Sequence, residues 1–140
     1  MTEAERAAQQ AEADRAAAEA AEQDSRRKRD QVLLQSYLSE ADLTRAYQDR
    51  LAMLDESIQS AQIGIESQRQ LLSSLLNDAA DRELAGERVT SSVLEAAREA
   101  YRQEQLLHEL QMRREAERVA TDQEYQAALS HYRELTAAEP

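Results

Sequence analysis

The 140-residue sequence contains no cysteine, tryptophan or phenylalanine, only two glycines and a single proline. The lack of cysteine excludes disulfides and thiolate metal sites. There is no glycine-rich phosphate loop and no Gly-x-Ser-x-Gly motif, so two common signatures of catalysis are absent. The longest run of bulky apolar residues is about Val32-Leu33-Leu34, far short of the roughly 18 residues that span a bilayer. No transmembrane segment is therefore expected.

The residues that are present favour helices. Charged residues make up 32% of the chain and aromatics 4%, and much of the 41% hydrophobic content is alanine. This composition is typical of long helices and coiled coils, in which burial is confined to a thin seam. The net charge of −11 argues against a nucleic-acid backbone as the main partner. We therefore expect an all-α, elongated antiparallel helical hairpin, or coiled coil, with an extra N-terminal helix.

A turn at residues 86–91 separates the two expected arms of the hairpin. Gly86 has no Cβ and can close a helix in the left-handed conformation. Ser92 and Glu95 have the spacing of a capping box, which predicts that the next helix begins there. The arms, about 40–85 and 92–136, are nearly equal in length. Pairing them about residue 88 places Leu51 opposite Tyr125 and leaves residues 1–35 without a partner in the chain.

Residues 1–38 are interpreted as a separate alanine-rich, charged helix, and residues 39–140 as the hairpin. The first 25 residues include ten alanines and no larger aliphatic side chain, so a helix here has no apolar stripe to bury and is expected to protrude or fray. Ser39, followed by acids at Glu40 and Asp42, favours a new helix start.

One basic cluster interrupts this acidic N-terminal segment. It allows two interpretations: contact with a membrane surface or polyanion, or charge compensation by acids one turn away at Glu19, Glu22 and Asp24. The second is favoured because the net charge opposes the first. The cluster consists of Arg26, Arg27, Lys28 and Arg29.

The first arm carries a clear heptad. Nine of its eleven stripe positions are apolar, which is a strong coiled-coil signal. Gly64 lies within this arm and is interpreted as a tolerated surface glycine rather than a point of close helix approach. The stripe positions are Tyr47, Leu51, Leu54, Ile58, Ala61, Ile65, Gln68, Leu72, Leu75, Ala79 and Arg82.

The second arm carries a weaker stripe, which polar residues occupy in the middle. Either the heptad contains a stutter, or the apolar residues beside the stripe form a second surface that meets another chain. The stripe comprises Val93, Ala97, Ala100, Glu104, Leu107, Gln111, Arg114, Arg118, Thr121, Tyr125, Ala128, Tyr132 and Leu135; beside it lie Leu106, Leu110, Met112, Ala116 and Val119.

Leucines outside the counted stripes are candidates for an interface, because exposed leucines commonly mark one. Self-association into a dimer is one expected use, and docking of a partner helix is the other. We expect no enzyme activity, cofactor or metal site, since solvated carboxylates and two isolated surface histidines, His108 and His131, offer none. The candidate leucines are Leu33, Leu34, Leu38, Leu76, Leu106 and Leu110.

The segment 33–43, LLQSYLSEADL, followed by RLAMLD at 50–55 and YREL at 132–135, resembles a group of proteobacterial coiled-coil proteins of unknown function. The resemblance covers roughly residues 29–135. It implies export and hence a periplasmic or cell-envelope setting after removal of a signal, whereas a native start at Met1 would indicate the cytoplasm. It implies no functional residues.

Overall fold

The computed structural model describes residues 1–137, which form three α-helices and no strand. Helix α1 spans Glu3–Ser36, α2 spans Glu40–Leu84 and α3 spans Ser91–Ala137. Helices α2 and α3 pack extensively against each other. The predicted all-α fold, a helical hairpin with an additional N-terminal helix, is confirmed.

The two helix starts and the turn follow local capping chemistry. Ser39 accepts a hydrogen bond from the Asp42 amide at 3.1 Å, as an N-cap does. Gly86 has a φ of +76°, and the amides of Gly86 and Glu87 donate to the carbonyls of Glu83 and Arg82. This pair of bonds is a Schellman motif, so the role predicted for Gly86 is confirmed.

The predicted cap at Ser92 is wrong. Helix α3 begins at Ser91, and the hydroxyl of Thr90 accepts from the Val93 amide at 3.4 Å. Ser92 and Glu95 are exposed positions inside α3. Thr90 also has the side-chain chemistry of an N-cap, but it has no glutamate or glutamine three residues later, so the capping-box pattern favoured the wrong hydroxyl.

The described chain divides into two compact units. One comprises Met1–Arg45 together with the part of α3 that follows Tyr125; the other is Ala46–Tyr125. The first unit thus combines α1 with the start of α2 and the end of α3, and the second is the turn-proximal hairpin.

In the first unit, α1 contacts the end of α3. The imidazole Nε2 of His131 lies in hydrogen-bonding contact with the Asp30 carboxylate, and the Tyr132 hydroxyl donates to the Tyr37 carbonyl at 3.2 Å. The expectation that residues 1–35 have no partner in the chain is therefore wrong for the last turns of α1. Residues 1–29 are exposed throughout, because their small and charged side chains provide nothing to bury.

A second set of hydrogen bonds in this unit joins the start of α2 to α3. Arg133 donates two hydrogen bonds to the Glu40 carboxylate, at 3.0 and 2.6 Å. These bonds lower the pKa of Glu40 below its ordinary value, since they favour the charged form. Leu43, with no exposed surface, lies nearby in sequence and is the most completely buried large side chain among residues 1–137.

Both predicted heptad stripes mark the buried side of their helices. Every stripe position on α2 and α3 is buried or half-buried. Spacings of three and four residues alternate without interruption along both stripes, so the stutter considered for α3 is wrong. The polar residues simply occupy seam positions: Glu104 is 8% and Thr121 7% exposed.

The register of the hairpin differs from the predicted one. Tyr47 stacks on Tyr125, with ring centroids 5.4 Å apart, so Tyr125 faces a residue one helical turn earlier than Leu51. Polar pairs also join the two helices: the Tyr47 hydroxyl donates to Glu124 at 3.0 Å, and Arg118 donates to Asp55. The bond to Asp55 raises the pKa of the Arg118 guanidinium further above its already high value.

Gly64 is a point of close helix approach, and its interpretation as a surface glycine is wrong. A Cβ at this position would lie 2.9 Å from Cδ1 of Leu107 on α3. Glycine in a helix interior is normally about 1 kcal/mol less favourable than alanine. Here the missing Cβ gives the Leu107 side chain its space.

Candidate interaction surface

The six leucines singled out in the sequence do not form one surface. Leu33, Leu34 and Leu110 are half-buried, whereas Leu38 is 91% exposed in the short connection between α1 and α2. Leu76 and Leu106 are similarly exposed, at 53% and 49%. They belong to the same hairpin unit but occupy different heptad positions: Leu76 directly follows a seam residue, whereas Leu106 stands two residues after one.

Leu76 belongs to an apolar groove near the turn. The groove has a volume of about 410 Å³. Both helices supply its walls, so it lies along one side of the α2–α3 seam. We call it the hairpin patch; its residues are Leu72, Leu76, Leu94, Ala97, Arg98 and Tyr101.

Two large members of the hairpin patch, Leu94 and Tyr101, were missed by the sequence interpretation. Leu94 is 45% and Tyr101 55% exposed. A signal exists: each directly follows a seam residue, as Leu76 does, and this is the heptad position that flanks the interface of a coiled coil. Apolar residues at this position on both helices widen the apolar stripe beyond what two helices can cover.

Charged side chains lie one heptad away from the patch, on the side remote from the turn. Arg69 Nε donates to the Glu104 carboxylate at 2.8 Å, and Arg69 Nη2 lies 3.3 Å from His108 Nε2. The Glu104 side chain is only 11% exposed, but that of Arg69 is 55% exposed. The group that faces solvent here is therefore the cation.

The opposite flank of the patch, toward the turn, is acidic. Glu83 stands one heptad beyond Leu76 on α2, and Glu87 follows Gly86 in the turn. Both are exposed. The patch thus has the exposed Arg69 on one side and the exposed Glu83 and Glu87 on the other, while Arg88 beside Glu87 and Arg98 in the patch itself are exposed cations.

The basic cluster on α1 is partly compensated, as the favoured interpretation predicted. Arg26 pairs with Glu22 at 2.8 Å and Lys28 with Asp24 at 3.3 Å. Exposed pairs of this kind contribute little to stability, but they offset the local positive charge. Binding of a membrane surface or polyanion by Arg26–Arg29 stays a prediction.

Both histidines have carboxylate neighbours, which the sequence interpretation did not anticipate. His108 lies 3.6 Å from Glu104, and His131 contacts Asp30 and, at 3.8 Å, Glu134. Within residues 1–137 no group of three or more candidate ligands is arranged to hold a metal ion.

No helix of residues 1–137 combines the length and apolar character needed to cross a bilayer.

Comparisons with protein-family models, curated proteins and solved structures gave no match to this chain. The resemblance to proteobacterial coiled-coil proteins, and the compartment it implies, therefore stay predictions. Function has to be argued from the hairpin patch itself.

Proposed function

We propose that this protein is a non-enzymatic interaction module that associates with a second copy of itself through the hairpin patch. The observation that carries the proposal is the exposure of Leu76, Leu94 and Tyr101 side by side in one groove. Large apolar side chains grouped in this way commonly mark protein–protein contacts. Tyrosine is also enriched at interfaces, because it combines apolar area with a wet hydroxyl.

The thin core of the chain supports association. Among residues 1–137 only seven apolar residues are buried, and three of them are alanines. Packing two hairpins against each other adds apolar burial without requiring a different partner. The buried set is Leu43, Tyr47, Ala61, Ile65, Ala97, Ala100 and Tyr132.

The exposed area leaves room for such an interface. The chain exposes 10566 Å², whereas a compact monomer of its mass, 15.8 kDa, exposes about 7,300 Å². Residues 1–29 are exposed throughout and supply part of this excess, and a standard interface buries only ~800 Å² on each partner. A second copy of the chain can cover the hairpin patch without a different protein being required.

Replacing Leu76 by glutamine tests the proposal. Full burial of an exposed leucine contributes about 1.5–3 kcal/mol. Leu76 is 53% exposed in the single chain, so an interface gains about half of this per copy, and a symmetric dimer loses it twice. The dissociation constant measured by sedimentation equilibrium should therefore rise about 10- to 100-fold.

Leu106→Gln is the matched control, because Leu106 is as exposed as Leu76 but lies outside the patch. It should leave the dissociation constant of the dimer nearly unchanged. Circular dichroism should show that both variants remain helical. Equal weakening by both changes, or by neither, would contradict the proposal.

A further inference from the structure

A cavity lies between the last turns of α1 and the end of α3, within the first unit. Its volume is about 400 Å³, in the range of sites that hold small molecules. The side chains around it are those of Arg26, Arg29 and Asp30 on α1 and of His131 on α3. The hairpin patch belongs to the other unit, so what this cavity binds is independent of the proposed self-association.

The guanidinium of Arg29 has no acidic partner, because His131 contacts the acid beside it. On a helix, ion pairs form between residues three or four apart, and no acid stands at those distances from Arg29. Asp30 is its neighbour in sequence, but Nε2 of His131 contacts the Asp30 carboxylate. Among residues 1–137, Arg29 forms no ion pair. An exposed cation is therefore available at the wall of the cavity.

Arg26 stands one turn before Arg29 and adds a second guanidinium to the same wall. Its ion pair within the described residues is with Glu22, at 2.8 Å, although Asp30 also stands four residues away. The side chain of Arg26 remains 66% exposed. A guanidinium has five N–H donors, so the bond to Glu22 leaves other donors for a ligand.

We propose that this cavity binds a phosphate group through Arg26 and Arg29, with His131 as a positioning residue. Guanidinium groups suit a phosphate, because its oxygens accept several charge-assisted hydrogen bonds and arginine can bind two of them at once. His131 keeps the Asp30 carboxylate paired, so this acid does not compete with the phosphate for the two arginines. The ligand is either a soluble phosphate monoester or the phosphate headgroup of a lipid.

The charges around the cavity predict a weak site. Two guanidinium groups face one carboxylate when His131 is counted as neutral, but Glu22 lies beside Arg26 and Glu134 lies 3.8 Å from Nδ1 of His131. The net charge of −11 also repels anions from the chain as a whole. We therefore expect a dissociation constant for inorganic phosphate on the order of 1 mM, rising with salt concentration.

Titration of the full chain with inorganic phosphate, at constant ionic strength and followed by the NMR shifts of backbone amides, tests the site. Arg29→Gln should weaken binding about tenfold, because it removes a charge-assisted hydrogen bond. Arg27→Gln is the matched control, since it removes the same charge from the same basic cluster but Arg27 does not line the cavity. An equal loss in both variants would overturn the site, and so would a wild-type chain whose shifts do not change at phosphate concentrations well above the millimolar range.

The positioning role of His131 has a readout of its own. His131→Ala frees the Asp30 carboxylate to pair with Arg26 or Arg29, so phosphate binding should weaken. Adding Asp30→Asn to this variant should restore binding, because the competing carboxylate is gone. A loss that persists in the double variant would overturn the positioning role.

Vesicles distinguish the two sources of the phosphate group. If the ligand is a lipid headgroup, vesicles of phosphatidylcholine with phosphatidic acid should bind the wild-type chain, and Arg29→Gln should lose this binding while Arg27→Gln keeps most of it. Binding of inorganic phosphate without binding to these vesicles would identify a soluble phosphate monoester. Vesicle binding that both variants weaken equally would overturn the site in favour of general attraction to an anionic surface.

Discussion

Replacing Gly64 by alanine tests the packing of the hairpin, because two effects of similar size oppose each other. Alanine is about 1 kcal/mol more favourable than glycine in a helix interior, so the change alone should stabilise α2. The new Cβ, however, would lie 2.9 Å from Cδ1 of Leu107. The leucine must then leave its rotamer, at a cost of about 0.5–1.5 kcal/mol.

The two terms nearly cancel, so we expect the free energy of unfolding to change by less than about 0.5 kcal/mol. The same change made in a Leu107→Ala background should stabilise by the full helix-propensity difference, about 1 kcal/mol, because the obstructing methyl groups are gone. The coupling between the two positions is then about 1 kcal/mol, within the range measured for residues in contact.

Urea denaturation followed by circular dichroism at one fixed protein concentration measures all four members of this cycle. Leu110→Ala provides the control background, since Leu110 is a half-buried leucine one turn along α3 and is not among the atoms nearest to the Gly64 position. Gly64→Ala should therefore be additive with Leu110→Ala. A Gly64→Ala gain of about 1 kcal/mol in the wild-type background, unchanged by Leu107→Ala, would refute the close approach.

Three further predictions concern the polar contacts and the turn. Glu40 has a lowered pKa in the folded chain because Arg133 donates to it, so the stability that it contributes is present above its unfolded pKa and is lost as the pH falls through its folded pKa. Glu40→Gln should therefore flatten the dependence of the melting temperature on pH below about pH 5. An unchanged slope would contradict this. Arg69→Leu removes the closest hydrogen-bond partner of the Glu104 carboxylate in the seam. The free energy of unfolding measured in urea should fall by about 1–3 kcal/mol. No fall would mean that water replaces the guanidinium. Gly86→Ala forces a Cβ into a φ of +76° and should destabilise by about 1 kcal/mol in thermal unfolding; a neutral result would show that the turn relaxes to another conformation.

The sequence predicted the fold because its signals are local. Heptad spacing depends only on which residues follow one another along a helix, and both stripes agree with the buried positions at every residue. The same holds for Gly86, since a helix that must stop and reverse favours a residue without a Cβ. These features needed no knowledge of the partner helix.

Features that depend on the facing helix could not be predicted in the same way. The register shift that stacks Tyr47 on Tyr125 arises from the geometry of the turn and from side-chain packing between residues 78 positions apart. Gly64 resembles a surface glycine until Leu107 is placed against it. Neither contact is encoded in the residues next to it.

The candidate surface was only partly predictable for a related reason. Leu76 was recognised as lying outside the seam, but Leu33, Leu34 and Leu110 were grouped with it although they are half-buried. Exposure depends on how far the neighbouring helix covers the flanking heptad positions, which a stripe count does not include. Leu94 and Tyr101 were missed because the heptad count considered only the stripe positions and not the residue that follows each of them.

Light scattering coupled to size exclusion, run over a concentration series in low and high salt, tests the central claim most directly. The account predicts a mass that rises from monomer to dimer with concentration, and a dimer that persists at high salt because its contacts are mainly apolar. A monomer at every concentration, with the patch still exposed, would contradict self-association. A dimer that dissociates into monomers at high salt would contradict the claim that apolar contacts of the patch hold it together.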